Sequence, residues 1–468
     1  MGHHIIKEVT QESFEFTGRA KMVAILLFVV GAILAGVGAM QVKSHMENPH
    51  QETAAEADHV KGATDHHLTL AQAESHGEAT ETHGSDSHGE EVHAAEGHHV
   101  SWMSRVWANL LLNSYYFWMF AVAAMFFIAV NYVANAGWAV MLKRIMEAQS
   151  SYLLVGSIIL FAVVIGAKDT LYHWVQYFSS NAAGDPNNGG YDAILESKSW
   201  LLNNGSLFFF IPFVLIVWYL IRLKLRSNSI KEDSEGGMEM FRNSTRWSAF
   251  YIFFFAFSFS ALSWLIIMSI DAHWYSTMFS VYNFAVSFVT GLSVMMLILL
   301  YLKSKGYMEM ASDEMVHDLG KFMFAFSIFW GYIFLSQWLL IWFTNLPEET
   351  VYFNARLTEY YKPMFRLNII LSFLAPFLIL MMRNVKRSPK VLLLAASVIL
   401  IGHWVDIFLM VMPGTVGDHA GIGLLEIGTT VAFSGIFIYV VLNSLSKANL
   451  YTKNHPYILE SANHDVGP

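Results

Sequence analysis

The sequence predicts an all-α integral membrane protein of about ten transmembrane helices. Three observations lead there. Of 468 residues, 55% are hydrophobic and only 14% charged, against roughly 45–50% and about 25% in soluble domains. Ten apolar runs approach or exceed the roughly 20 residues needed to cross about 30 Å of hydrocarbon; they lie near 20–40, 108–133, 152–168, 206–223, 247–268, 278–302, 319–343, 364–382, 389–412 and 423–445. Finally, Lys and Arg alternate between the connections. With the N-terminus inside, 20 of the 28 fall on the inner side and 8 on the outer. The positive-inside rule then places both termini in the cytoplasm.

Taken in order, residues 1–40 hold a polar N-terminus and a first run, Met22 to Met40, of spanning length. It suits a retained helix better than a cleaved leader. Residues 41–107 form a loop of His, Glu, Ala, Gly, Thr and Ser, expected outside the membrane on the periplasmic side. Its histidines, from His45 to His99, recur at irregular intervals, so a solvated insertion is expected rather than a defined zinc or copper site. Residues 108–268 and 278–412 then carry four runs each, and 423–468 a tenth run and a polar tail. A net charge of −9 comes largely from the first outer loop and gives no ground for nucleic-acid binding.

The chemistry concentrates in a few ionisable residues near span ends. Asp169, Asp271, Asp406 and Glu426 lie in or beside apolar segments, with His173, His273 and His403 within a turn of the first three. An ionised Asp at the bilayer centre costs about 2.5–3.5 kcal/mol on insertion scales, so such residues mark bundle interiors, proton paths or substrates. All seven are proton-path candidates on the outer side. Asp169 and His173, four apart, share a helix face and suit proton acceptance from a hydroquinone, which makes them quinone-binding candidates. A surface-level salt bridge among Lys168, Asp169 and His173 is the plainer reading of the same residues. His403 and Asp406 are expected to join Asp271 and His273 in one protonatable cluster. A His-Trp dipeptide recurs at His173, His273 and His403, which suggests that the fifth and ninth spans are counterparts in two related four-helix bundles.

Absences narrow the chemistry further. With no Cys, the chain has no disulfide, no thiolate-held iron–sulfur cluster and no C-x-x-C-H haem attachment. His173 and His273 are the candidates for bis-His haem b, though each has a carboxylate close by. The inner half offers Asn131, Ser157, Tyr219 and Tyr301, while Glu309, Asp313 and Glu314 fall in a loop, so no intramembrane acid is expected there.

Three stretches carry a resemblance. Gly331 to Thr350 (GYIFLSQWLLIWFTNLPEET), Asp271 to Phe279 (DAHWYSTMF) and Gly402 to Asp406 (GHWVD) with Met412-Pro413 resemble the quinone-binding membrane subunits of quinol:cytochrome c oxidoreductase, the alternative complex III of bacteria. The likeness extends over most of residues 108–445. It implies a polysulfide-reductase-type membrane subunit: two four-helix bundles, spans 2–5 and 6–9, flanked by helices 1 and 10. It also implies a bacterial plasma-membrane complex in which electrons from menaquinol or ubiquinol pass through iron–sulfur clusters and haems on partner subunits. Those partners would be a multihaem cytochrome c, an iron–sulfur subunit, a paralogous membrane subunit, small membrane subunits and a terminal oxidase. A proton-coupled secondary transporter is the alternative of a different class; against it stand the few ionisable groups of the inner half and the scarcity of Gly- or Pro-broken helices at matching positions.

Overall fold

The computed structural model describes residues 11–47, 101–181 and 183–464. The histidine-rich stretch 48–100, and with it the expectation that it binds no defined metal, lies outside the described residues. Among the described residues, ten helices are long and apolar enough to cross a membrane. They are α1 (Gly18–Glu47), α2 (Trp102–Val133), α3 (Gly137–Leu171), α4 (Ser206–Glu235), α5 (Met238–Ile266), α6 (Met278–Ser304), α7 (Asp313–Thr344), α8 (Lys362–Leu380), α9 (Pro389–His419) and α10 (Leu424–Leu445). Each falls on a run predicted from hydropathy, so the all-α, roughly ten-span expectation holds.

Two rings of four helices organise these spans. In the first, α2 packs on α3 and α5, and α4 closes the ring between them. In the second, α6 packs on α7 and α9, and α8 closes it. The rings share a wall where α2 meets α6 and α9 and α5 meets α6. Outside them, α1 lies antiparallel along α10, and α10 in turn rests on α2. Gly31 and Gly38 of α1 face Gly428 and Gly435 of α10 so closely that a methyl group at any of the four would overlap the opposite backbone. Without a hydrophobic drive between helices in lipid, such close backbone approach is what dispersion forces need. Both described chain ends meet at one face, where the Leu450 amide donates to the Glu12 carbonyl at 2.7 Å.

The two rings are related by a feature of their third helices. In α4 the Ile211 amide reaches back five residues to the Ser206 carbonyl, and in α8 the Ala375 amide does the same to Ile370. A proline follows at once in each case, Pro212 and Pro376. Proline lacks the N–H and its ring collides with the carbonyl four residues earlier, so the helix widens into a π turn. The sequences around them correspond as well: Phe209-x-x-Pro212-Phe213 and Phe373-x-x-Pro376-Phe377. Here the expectation that matching proline-interrupted helices are scarce is corrected. Hydropathy passes over these prolines because the apolar run continues through them.

Candidate functional site

Asp406 sits on the inward face of α9 and is 2% exposed. Each of the other helices of the second ring sends a side chain to it. Tyr282 of α6 donates its hydroxyl to Oδ1, Asn368 of α8 donates its amide to the same oxygen at 2.8 Å, and Trp330 of α7 donates its indole N–H to Oδ2 at 3.1 Å. Ser372 donates to Asn368 Oδ1 at 2.7 Å and orients that amide. Ser372 lies within the π turn of α8, and Gly402, one turn before Asp406, lets that turn approach so closely that a Cβ would overlap the Leu371 and Ser372 backbone. The proline-induced widening therefore bears directly on the geometry around the carboxylate.

His403, fully buried one turn away, holds Nδ1 at 3.5 Å from Asp406 Oδ2. The Trp330 ring stands edge-on to the imidazole at a centroid distance of 5.2 Å. Neither ring nitrogen has a hydrogen-bond partner among the described residues. A neutral imidazole offers one N–H and one lone pair, and such a ring beside a carboxyl group is the usual arrangement of a proton relay.

A cavity of about 20 Å³ opens next to Asp406, bounded by Tyr282, Gln337, Arg356 and Asn368 among others. That is room for a water molecule, which needs roughly 10–15 Å³. Beyond it, Arg356 ion-pairs with Asp271 at 2.9 Å. Arg356 also donates to the Leu409 carbonyl at 2.8 Å and the Met410 carbonyl at 3.1 Å. Leu409 stands four residues before Pro413, the proline inside α9, and so has lost its helical donor. Arg356 supplies the replacement, and its guanidinium lies 3.3 Å from the Tyr352 ring centroid.

The expected four-residue cluster forms only in part. Asp271 approaches Gly414 of α9, eight residues or about 12 Å along the helix from Asp406. Among the described residues, Arg356 pairs with Asp271 and lines the cavity beside Asp406. The equivalence expected between Asp271 and Asp406 from the His-Trp repeat therefore fails on depth. His273 lies apart, its Nε2 at 2.6 Å from Asp192 on the connection between α3 and α4. Asp169 is at the surface, with Lys168 at 2.6 Å from a carboxylate that is 68% exposed. His173 begins the short helix His173–Phe178 just beyond it. Glu426 is fully buried and accepts from Arg105 Nε at 2.9 Å, Asn109 Nδ2 at 3.0 Å and the Gly423 amide at 2.8 Å. These bonds make it a helix cap that fastens α10 to α2.

Hydropathy also missed a buried ion network at the opposite, basic face. Lys143 pairs with Glu232 at 2.7 Å; Arg144 pairs with Glu147 at 2.7 Å and with Asp233; Arg226 pairs with Glu147. The basic end is thus richer in acids than expected, because Gly137–Leu142 and Lys143–Gln149 carry their buried charges under the bundle. His455 from the C-terminal tail stands 3.9 Å from Glu232. Burial, helped by Lys143, pushes its imidazole down to about 2 and keeps it neutral.

No family model matches the sequence, and no curated protein does either.

Proposed function

We propose that this chain is the membrane subunit of a quinol-oxidising respiratory complex of the alternative complex III type. In this reading it lies in a bacterial plasma membrane with both termini cytoplasmic, and it passes protons to the outer face. The observation that carries the proton role is the buried Asp406–His403 pair, enclosed by all four helices of one ring and adjoining a water-sized cavity. An ionisable pair at this depth has a large desolvation cost, and function is its usual compensation. The proton route runs from His403 and Asp406 through the cavity to Arg356 and Asp271 at the outer rim. Zero Cys agrees with electron carriers held on partner subunits: the multihaem cytochrome c and the iron–sulfur protein, beside a paralogous membrane subunit. With Asp169 tied to Lys168 at the surface, we assign quinol oxidation to the paralogue and to this chain the proton path and scaffold.

A free-standing proton-coupled transporter is the second reading, favoured by the matching π turns of α4 and α8. Purifying the tagged chain from its native membranes separates the two. A complex subunit brings haem absorbance and iron–sulfur signals with it in fixed stoichiometry, whereas a chain that isolates alone, stable and monodisperse, overturns the complex reading.

A further inference from the structure

Between the flanking pair and the two rings runs a groove of about 1250 Å³. It is larger than the roughly 300–1,000 Å³ of small-molecule sites. It begins at the basic face, beside Arg19 and Lys305, and ends near Val294, Phe117 and Leu400 in mid-membrane. Lys305 and Val294 are eleven residues apart, or about 16 Å of helix, which is half of the roughly 30 Å hydrocarbon thickness. The groove is therefore one leaflet deep. Its wall below the mouth is apolar, with Leu297 and Ile298 of α6 opposite Phe437 and Val441 of α10. It exists because α1 packs against α10 through glycines while touching little of the rings, which leaves a cleft beside α6 and α9.

The mouth decides the occupant. Arg19 and Lys305 are both exposed, and neither is ion-paired among the described residues. Several other cations of this face, such as Lys143, Arg144, Arg226 and Arg387, are paired with carboxylates, whereas these two stand at the mouth of the groove. Tyr301, Tyr307 and Thr17 add hydroxyl groups at the same level, and Glu15 is the one acid there. Two cations and several hydroxyls above an apolar slot one leaflet deep suit a phosphate headgroup carrying acyl chains. A transmembrane helix of a partner would need a slot spanning both leaflets, and an isoprenoid quinone has no anion for the two cations to hold. We propose that this groove binds an anionic phospholipid of the leaflet on the basic face, with its phosphate at Arg19 and Lys305 and its acyl chains along α6 and α10.

The test uses the purified, delipidated full-length protein with its copurifying partners, titrated with dioleoylphosphatidylglycerol or dioleoylphosphatidylcholine and read by native mass spectrometry. Tighter binding of the phosphatidylglycerol is expected. The double variant Arg19→Gln/Lys305→Gln should weaken it roughly thirty-fold, the loss of two basic contacts. The control Lys231→Gln/Lys390→Gln makes the same change in net charge away from the groove and should bind like the unaltered protein. Equal loss in both doubles, or no loss in either, overturns the proposal. Should the groove variant fail to fold, the unaltered protein is photolabelled with phosphatidylglycerol carrying a diazirine acyl chain. Adducts at Val294, Leu297 or Val441 support the site; adducts confined to other helices, or a density map with a quinone or a peptide helix in the groove, contradict it.

Discussion

The two four-helix rings are built on the same plan and filled with opposite chemistry. In the interior of the first, Trp118 donates to Ser157 at 3.0 Å and Trp218 to Ser258 at 3.1 Å, with the two indoles stacked at 5.8 Å. Every polar group in that set is neutral. At the heart of the second, Trp330 donates instead to Asp406, with Tyr282, Asn368 and His403 around it. Stability alone is served by the first arrangement, since indole-to-hydroxyl pairs satisfy buried donors at no charge cost. At mid-span the second ring buries an ionisable carboxyl group that packing does not require, whereas the first ring keeps its ion pairs at the basic end; on the proposed function that difference makes the second the working ring.

The comparison can be broken most severely at Arg356. This side chain is 2% exposed and neutralises Asp271 while capping two carbonyls beside Pro413. Arg356→Ala leaves a partly buried carboxylate without its counter-ion and the Leu409 carbonyl without a donor, so a loss of about 3–5 kcal/mol is expected. Thermal unfolding in detergent would show it. A change no larger than that of an exposed substitution would mean that Asp271 is solvated and outside the second ring's chemistry.

A sharper comparison exchanges the same residue in both rings. Trp330→Phe removes a hydrogen bond to a carboxylate, worth roughly 1.5–3 kcal/mol, whereas Trp218→Phe removes a neutral one, worth roughly 0.5–1.5 kcal/mol. Each also loses similar ring area. The Trp330 variant should melt lower than the Trp218 variant, and it alone should alter proton movement. Equal effects on both readouts would erase the distinction between the rings.

The smallest effect is expected at the rim of the first ring opposite the basic face. Asp192 caps the helix Ala193–Ser197 and meets His273 at 2.6 Å. Partial burial raises its carboxyl, but the amides of Leu195 and Ile194 and the His273 ring outweigh that and hold it below the ordinary carboxylate value. A lowered value means that the stabilisation is complete above the ordinary carboxylate range and is lost only as the pH falls through the lowered value. Hydrogen exchange across residues 190–200 should therefore stay slow down to about pH 4. Asp192→Ala should speed that exchange at neutral pH, at a cost of about 1 kcal/mol from the lost cap, and leave the second ring untouched.

Which parts of this were legible in the sequence follows from what each feature needs. Spans were legible because hydrophobic length is a local property. Asp406 and His403 were legible because ionisable groups are rare in apolar helices. Their partners were not: Tyr282, Trp330 and Asn368 come from three other helices, and nothing in a chain rich in Trp and Tyr singles them out. Arg356 read as an outer-loop cation, since its partners Leu409 and Met410 depend on how Pro413 bends the bond pattern of α9. Glu426 read as a proton-path candidate on the same rarity argument, yet three donors hold it as a cap. The ring-to-ring correspondence was sought in His-Trp dipeptides and lies in the two Phe-x-x-Pro-Phe segments, where the signal is a backbone constraint. Lys143 and Arg144 made the predicted third run start late, because their burial depends on acids nearly ninety residues away.

The central claim is that Asp406 with His403 carries exchangeable protons, and Asp406→Asn in the intact complex, reconstituted into vesicles, tests it most directly. Asparagine keeps the shape, and its single carbonyl oxygen can still accept from Tyr282 and Asn368 at the expense of the Trp330 bond, so assembly should persist and melting should fall no further than in Trp330→Phe. Protons released per electron transferred should fall by more than half, and Asp406→Glu should restore part of the loss. An Asp406→Asn complex with unchanged proton stoichiometry and turnover would contradict the account and reduce the pair to a structural contact.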